Sequence, residues 1–570
     1  MSRRRLAVGV VAIAAVVLGG RALSIVFDSY SWYESLGARA LWNERALDTV
    51  LVDATGFIFA ALFTLANLAI VGQSVGSLTR PRRLANVEFG EAVPPAQLRL
   101  AGIVLSLAVA LGLASLLPSW RAVAFAKLGV DFREADPYFQ HDLSFYVTWL
   151  PLERAVYSWA LALIVCVTAI VTGLYIVTSG LRWNAGALRL TAKVRRHLAV
   201  LAALLLLVCT WSYRLDAYEL LTNGGHDGTG FTFIDHQWML PALLALSVAT
   251  VATAITVAIS AWMGQMRTSL VAIMAAIALA GLTSEILPFA VERSLTPKEA
   301  HRENAPYVAT RSDFTRRAFG TDPNEESAEN PLATFAAVSA AVPAGPDTLV
   351  SPGAIGTLLV DNPTIDIAAP SLGHGFSRLA HAWAARNFSL LSDKLHRRTR
   401  IVRVRDVRER VAALYPFFAI GPTLRPLFRG DTLYWSAPLF TSSHSYPLSD
   451  RREIWGERVT YFHRTGTALV NARTGRVYAA LDIPPEPVAA GWVRKFENAE
   501  SLKRARDVQR ALFVSNSRLG VSGAAMSDTS FRARVIRFYD SMHSALSAGD
   551  LRRFGLAYDS LGALVGRVKK

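Results

Sequence analysis

Three pairs of neighbouring imidazole and carboxylate groups are the residues best suited to chemistry in this chain: His141-Asp142, His226-Asp227 and Asp235-His236. Both groups are ligands for zinc and similar ions. None of the pairs has the i,i+4 spacing of a helical metal motif, and neighbours on a strand point to opposite faces. Interfacial hydrogen bonding and loop capping are the competing reading. "GGHDGTG" (224–230) lacks the Lys-Ser/Thr of a phosphate loop and follows no strand, so it reads as a flexible turn. "TSSHSYPLSD" (441–450) brings Ser, His and Asp close together without a nucleophile elbow, and reads as a loop after a strand. The neighbouring Tyr434, Trp435, His444 and Tyr446 are the candidate ligand or partner surface. No residue is assigned a catalytic role, and no cofactor is expected.

Arg21, Asp53 and Glu285 are candidates of another kind, because they fall within or at the margins of long apolar runs. Ionisable groups there are costly and mark functional sites by default. They can line a polar pathway, staple helices together, or snorkel to the surface.

The elements that must position these residues follow from hydropathy. The chain has 570 residues, 52% hydrophobic and 18% charged, which is too apolar for one soluble protein of this size. Apolar runs lie near 6–26, 50–72, 98–118, 157–178, 197–212, 238–263 and 269–290. Most approach the roughly 20 residues a helix needs to cross a bilayer. Backbone in lipid must satisfy itself, so these runs are helices. The run at 197–212 is short and needs its flanks. "MSRRR" precedes the first run and no small-x-small cleavage site follows it, so an uncleaved anchor is expected.

Lys and Arg in the short loops set the orientation. With the N-terminus in the cytoplasm, the inner segments carry Arg3–Arg5, Arg80, Arg82, Arg83, Arg182, Arg189, Lys193, Arg195, Arg196 and Arg267. The outer loops carry fewer, over a longer total length. The expected architecture is an α-helical transmembrane bundle of seven spans (1–290), then an α+β extracytoplasmic domain with a small antiparallel sheet (291–570). The expected place is the bacterial inner membrane. Residues 291–570 hold 39 Lys and Arg against 27 Asp and Glu. Outside the cytoplasm such a surface favours anionic lipid or an acidic envelope polymer over nucleic acid. Both cysteines, Cys166 and Cys209, fall in spans, so no disulfide frames the second part.

Aromatic residues crowd the outer loops: Tyr30, Trp32 and Tyr33, then Tyr138, Phe139, Phe145, Tyr146 and Trp149. Such rings favour the headgroup layer. In the second part, 302–320 reads as helical in its second half and 375–395 as helical throughout. Residues 403–418 read as an amphipathic helix with Val404, Val407, Val411 and Leu414 on one face, Arg on the other, and an Asp406–Arg410 pair. Period-two alternation predicts hairpins over 426–440 and 466–483. The last seventy residues read as helices broken at Gly549-Asp550.

Seven stretches together resemble uncharacterised protein family 0182, a group of large bacterial integral membrane proteins. They are "DSYSWYESLG", "DPYFQHDLSFYVTWLP", "GFTFIDHQWMLP", "RVRDVRERVAALYPFF", "GDTLYWSAPLFTSSHSYPLSD", "GTALVNARTGRVYAALD" and "AGDLRRFG". The resemblance implies seven N-terminal spans and a large extracytoplasmic region, and implies no activity. The long middle section of the family is missing here between about Phe319 and Ile365. The leading expectation is a non-enzymatic envelope protein whose basic domain binds envelope material or a partner. The alternatives are a transporter or channel using Glu285 and Arg21, and a metal-dependent enzyme on the outer face.

Overall fold

The computed structural model describes residues 3–74, 79–84, 87–92, 95–178, 181–184, 187–320, 348–361, 363–429, 432–482, 484–497, 503–510 and 512. Seven helical stretches are long and apolar enough to cross a membrane. In chain order come α1 (Arg3–Ser35) and α2 (Arg39–Ser74), a hairpin of β1 (Thr79–Leu84) and β2 (Val87–Ala92), α3 (Pro95–Ala114), the short α4 (Trp120–Ala126) and α5 (Leu150–Val177). A second hairpin, β3 (Leu181–Asn184) and β4 (Ala187–Leu190), leads to α6 (Ala192–Thr222), α7 (Leu240–Met263) and α8 (Met266–Gly281). The last span continues from α8 into α9 (Leu287–Ser294). Large apolar side chains such as Leu62, Leu111, Val248 and Val271 are exposed along these helices. That is the surface a hydrocarbon solvent requires.

Three single π turns share one sequence cause. They span Phe145–Trp149, Asp235–Met239 and Leu282–Ile286, and each precedes Leu-Pro: Leu150-Pro151, Leu240-Pro241 and Leu287-Pro288. Proline donates no hydrogen bond and its ring displaces the carbonyl four residues back. In each turn the leucine N–H reaches five residues back instead, which gives the proline ring room.

After α10 (Pro297–Ala318), the C-terminal region pairs β5 (Leu358–Val360) with β6 (Arg400–Val402), and carries α11 (Phe376–Ala385) and α12 (Val407–Leu414). Its centre is an antiparallel sheet of β7 (Ala419–Ile420), β8 (Arg425–Arg429), β9 (Thr432–Ser443), β12 (Tyr461–Asn471) and β13 (Val477–Leu481). The order is β13-β12-β9-β7, and β8 pairs further along the same edge of β9. A small hairpin, β10 (Arg452–Ile454) and β11 (Glu457–Val459), sits between β9 and β12, and α13 (Pro487–Phe496) follows the sheet. The expected fold class, a helical bundle followed by an α+β region, is the one observed.

Several local expectations are corrected. Only residues 36–38 lie outside helix between α1 and α2. Trp32 and Tyr33 are buried in one apolar cluster with Val407, Val411, Leu414 and Trp492, so they are not interfacial rings. The hydroxyl of Tyr33 donates to the Ala413 carbonyl at 3.2 Å, so the cover of the C-terminal region supplies the polar partner that headgroups would have supplied. Helix α10 begins earlier than expected because Thr296 and Glu299 form a capping box. Helix α11 stops at Ala385, because Arg386 adopts a left-handed conformation. Asp406 is the N-cap of α12, accepting from Glu409 N at 2.9 Å, and so does not pair with Arg410. Arg410 turns inward and is fully buried. The hairpins over 426–440 and 466–483 are present. The expected helices around Gly549-Asp550 lie outside the described residues.

Candidate functional site: the sheet groove and the docking face

The three His/Asp pairs do not converge. Among the described residues no group of three or more His, Cys, Asp and Glu side chains is placed to hold a metal ion. Asp142 accepts from Ser144 N at 2.8 Å, and Asp227 accepts from Thr229 N at 2.9 Å, so both hold local turns. His141 Nε2 lies 3.3 Å from Tyr218 OH, and His236 Nδ1 lies 2.9 Å from Tyr307 OH. Only His226 and Asp235 meet, at 2.8 Å, with Glu292 at 3.4 Å from the other ring nitrogen. Asp235 is wholly buried and also accepts from Thr232 N and His226 N. Burial works to lower the His226 pKa, but the carboxylates of Asp235, Glu292 and Asp227 together outweigh it and the net shift is upward.

Sequence reading passed over Asp136, the acid that organises "DPYFQHDLSFY". It is wholly buried and accepts from the backbone of Tyr138, Phe139 and His141 and from Tyr146 OH at 3.0 Å. Burial, with Tyr307 and Asp136 adding to it, pushes the Tyr138 hydroxyl up to about 12. The available signal was Asp-Pro followed by Gln140, a residue type that tolerates poorly the positive φ it adopts here.

The intramembrane charges also stay apart. Arg21 donates to the Trp383 carbonyl at 3.2 Å, tying α1 to α11. Asp53 and Glu285 are exposed on α2 and on the third π turn. Among the polar groups buried between the helices is His197, which lies between Tyr175 OH (2.8 Å) and Asn67 Oδ1 (2.9 Å).

The C-terminal region is fastened to the helix ends by ion pairs. Asp28 of α1 takes His381 at 2.6 Å and Arg403. Glu44 of α2 takes Lys495 of α13 at 2.5 Å. Ser445 Oγ donates to the Tyr146 carbonyl at 2.7 Å, and Leu448 N to Leu221 O at 2.7 Å.

The four residues of the expected ligand surface are dispersed. Tyr434 and Trp435 are neighbours on β9 and therefore face opposite sides. Tyr434 packs with Leu427, Leu469, Val508 and Leu512, whereas Trp435 lies against the main core. Tyr446 is buried against Phe132 and Tyr461. His444 is exposed, its Nδ1 donating to Arg458 O at 2.6 Å.

One of the concavities among the described residues is on the Tyr434 face of the sheet. Ser436, Pro438 and Phe440 of β9 and Arg464 and Thr467 of β12 form its floor, in a cavity of about 350 Å³. One wall is the interrupted edge between β7 and β8, residues 421–425, and the other is Trp455. A bulge between Arg464 and Gly466 shifts the register of β12. This keeps Arg464 and Thr467 on the same face despite their odd spacing. Arg464 contacts Asp482 at 3.0 Å and Thr467 at 3.0 Å. Burial lowers the Arg464 pKa and raises that of Asp482.

Trp455 is the unusual residue. It and Gly456 form the two-residue loop of the β10–β11 hairpin, with φ of 54° and 82°. Positive φ at both positions is the type I′ pattern, which favours Asn-Gly or Asp-Gly. A bulky side chain in this region costs on the order of 1–3 kcal/mol. Trp455 is nonetheless 48% exposed, with ring contacts to Phe440 (5.1 Å) and Phe462 (5.0 Å).

The chain matches the model of an uncharacterised protein family, UPF0182, over residues 6–341 and 367–512. It is 27% identical over 322 residues to a UPF0182 protein of Desulforamulus reducens, covering 53% of this chain and 34% of that protein. It is 28% identical over 348 residues to a UPF0182 protein of Nocardia farcinica, covering 58% and 35%. A UPF0182 protein of Mycobacterium bovis is 27% identical over 318 residues, covering 54% and 32%. The chain thus spans about a third of the length of these relatives. No solved structure matches it.

Proposed function

This chain belongs to the uncharacterised protein family UPF0182, and from that premise we propose that it is a non-enzymatic envelope protein of the bacterial cell membrane. In this reading residues 1–290 anchor it with the N-terminus in the cytoplasm. Residues 291–570 form a basic extracytoplasmic domain that binds envelope material or a partner. The observation that carries the reading is the fastening of the C-terminal region. Asp28 holds His381 and Arg403, Glu44 holds Lys495, and Trp32 and Tyr33 enter the same core as α12. A region held this way presents its sheet and its excess of Lys and Arg at a fixed place beside the membrane, where anionic polymers and headgroups are the available partners. Arg21, Asp53 and Glu285 sit on separate helices, an arrangement that favours binding over transport.

The test is the side of the membrane. A cysteine at Ile355, which is 89% exposed, is offered to a membrane-impermeant maleimide on intact cells. The parent protein controls for Cys166 and Cys209. Labelling before lysis is the expected result. Labelling only after lysis would place the basic region in the cytoplasm and overturn the proposal.

A further inference from the structure

We propose that α11 and the 3₁₀ turn after it, Phe388–Leu391, insert into the lipid leaflet at the C-terminal end of α1, so that the C-terminal region grips the bilayer as well as the helix ends.

The first observation is depth. From Leu6 to Phe27 the sequence of α1 is apolar except for Arg21 and Ser24. At 1.5 Å per residue that stretch measures roughly 33 Å, about the thickness of a hydrocarbon core. Helix α11 packs on the last part of it. The Phe376 ring meets Phe27 edge-on at 5.4 Å, and a side chain at Gly20 would run into the Trp383 indole. Arg21 donates to the Trp383 carbonyl at 3.2 Å, so its charge sits near the C-terminal end of α11, where the helix dipole is negative. At the same turns of α1, Leu23, Ile25 and Val26 are exposed, as side chains facing lipid must be. A helix docked at this level shares their solvent.

The second is the face that α11 leaves uncovered. Phe376, Leu379 and Trp383 follow one another at i, i+3 and i+7 and so share one stripe of the helix. Phe376 is 64% exposed in spite of its contact with Phe27, and Leu379 is exposed on the next turn. The 3₁₀ turn adds Phe388, 59% exposed, and Leu391. The other side of the same unit is buried: His381 is held by Asp28, while Ala382 and Leu390 enter a small core with Leu372 and Ile401. A short amphipathic helix of this kind suits the boundary between headgroups and acyl chains.

The third is the closure of the backbone. Irregular chain is tolerated next to lipid where the protein satisfies its polar groups. Arg378 donates to the carbonyls of Leu390, Ser392 and Leu395, at 2.8 Å each, and Asn387 Oδ1 accepts from Ser389 N at 3.1 Å. The exposed Arg386, Lys394, Arg397 and Arg398 flank the apolar side chains in sequence, and Asp393 is the one acid among residues 386–398. Long basic side chains at the margin of an apolar face reach the headgroup layer.

The test is spin-label accessibility in the full chain, reconstituted in vesicles of phosphatidylcholine and phosphatidylglycerol. Cys166 and Cys209 are replaced by alanine, and one nitroxide at a time is attached through Leu379→Cys, Phe388→Cys or Leu391→Cys. All three side chains are exposed, so the label displaces no core residue, and three positions keep a local distortion at one from deciding the outcome. Val26→Cys on α1 gives the lipid reference and Glu453→Cys on β10 the water reference. Oxygen concentrates in lipid and a neutral nickel chelate stays in water. The ratio of their collision rates at the three positions is expected to be at least fivefold higher than at Glu453→Cys and to approach that at Val26→Cys. A ratio equal to that at Glu453→Cys would leave the face in water and overturn the proposal. Low rates with both reagents would mean that protein covers the face, a second copy or another segment of this chain, and would overturn it equally. The inference rests on the spans and not on which side of the membrane the region occupies, so it and the maleimide test fail separately.

Discussion

His381 places its Nδ1 2.6 Å from Asp28 Oδ1, joining α11 to the first membrane helix across 353 residues of sequence. The imidazole is 1% exposed, and Arg403 closes on the second carboxylate oxygen. Asp28 therefore serves two donors from two elements of the C-terminal region. Its replacement by Asn keeps the shape and removes the charge, leaving the Arg403 guanidinium, whose Nε has no partner among the described residues, without its counter-ion. Losing one partner of such a pair costs about 3–5 kcal/mol when fully buried, and about 1–3 kcal/mol is expected for a pair at this partial exposure. Asp28→Asn should lower the thermal midpoint and speed amide exchange in α11 and β6 while sparing α7 and α8. Unchanged exchange in α11 would show that the contact does not fasten the region.

The spans were legible because lipid imposes one rule on long stretches, and even the short run at 197–212 became a full span once Ala192–Arg196 and Tyr213–Thr222 extended its helix. The two hairpins were legible because the period of two survives in residues 426–440 and 466–483. What sequence could not assign was the neighbour. Trp32 and Tyr33 suit a headgroup layer and a protein core equally well, and only the position of α12 decides between them. The same limit scattered the expected sites. His141, Asp142, Asp227 and His236 each find a nearer partner than a shared ion, and Tyr434 and Trp435 were bound to part because β9 is extended. Trp455 was missed because only a backbone angle marks it.

Gly466 should tolerate no side chain. A Cβ there would meet the Ala480 carbonyl oxygen and lie 2.8 Å from Leu481 Cα, both of them backbone atoms of β13. Neither can swing away as a long side chain could, so β12 and β13 must separate or the bulge must re-form. Overpacking of this kind costs typically 1–3 kcal/mol. Gly466→Ala is expected to lower the thermal midpoint, and because the bulge sets the position of Arg464, to disturb its contact with Asp482 as well. An unchanged midpoint would mean that the strand pair has slack here.

Arg410 is a buried cation held by carbonyls rather than by a carboxylate. Its guanidinium donates to Val404 O at 3.0 Å, to Ala368 O at 3.3 Å and to Gly475 O, and burial lowers its pKa to about 10. It stays charged at neutral pH and stitches the 366–369 segment and the β12–β13 turn to α12. Arg410→Met roughly fills the volume but leaves three carbonyls without a donor, each at about 1–3 kcal/mol when buried. The variant should unfold more readily than Arg410→Lys, which keeps the charge and some of the donors. Equal midpoints for the two would show that volume, not hydrogen bonding, is what the site needs.

His226 should make the loop over 223–234 sensitive to pH. Burial opposes the proton, but the hydrogen bond and charge of Asp235, with Glu292 beyond, prevail and raise the folded pKa above 6.5. A raised folded pKa means that the proton binds the native state more tightly than the unfolded chain. The contribution is therefore complete below pH 6.5 and is lost as pH rises through the folded value. Thermal midpoints measured from pH 5.5 to 8.5 should fall with a component that His226→Gln removes, since Gln can still donate to Asp235 but cannot titrate. The loss should be seen first as faster amide exchange at His226, whose N–H donates to Asp235 at 2.9 Å, and at Thr232, whose N–H does so at 2.8 Å. A pH profile identical in the Gln variant would assign the titration to another group and leave His226 a neutral hydrogen-bond donor.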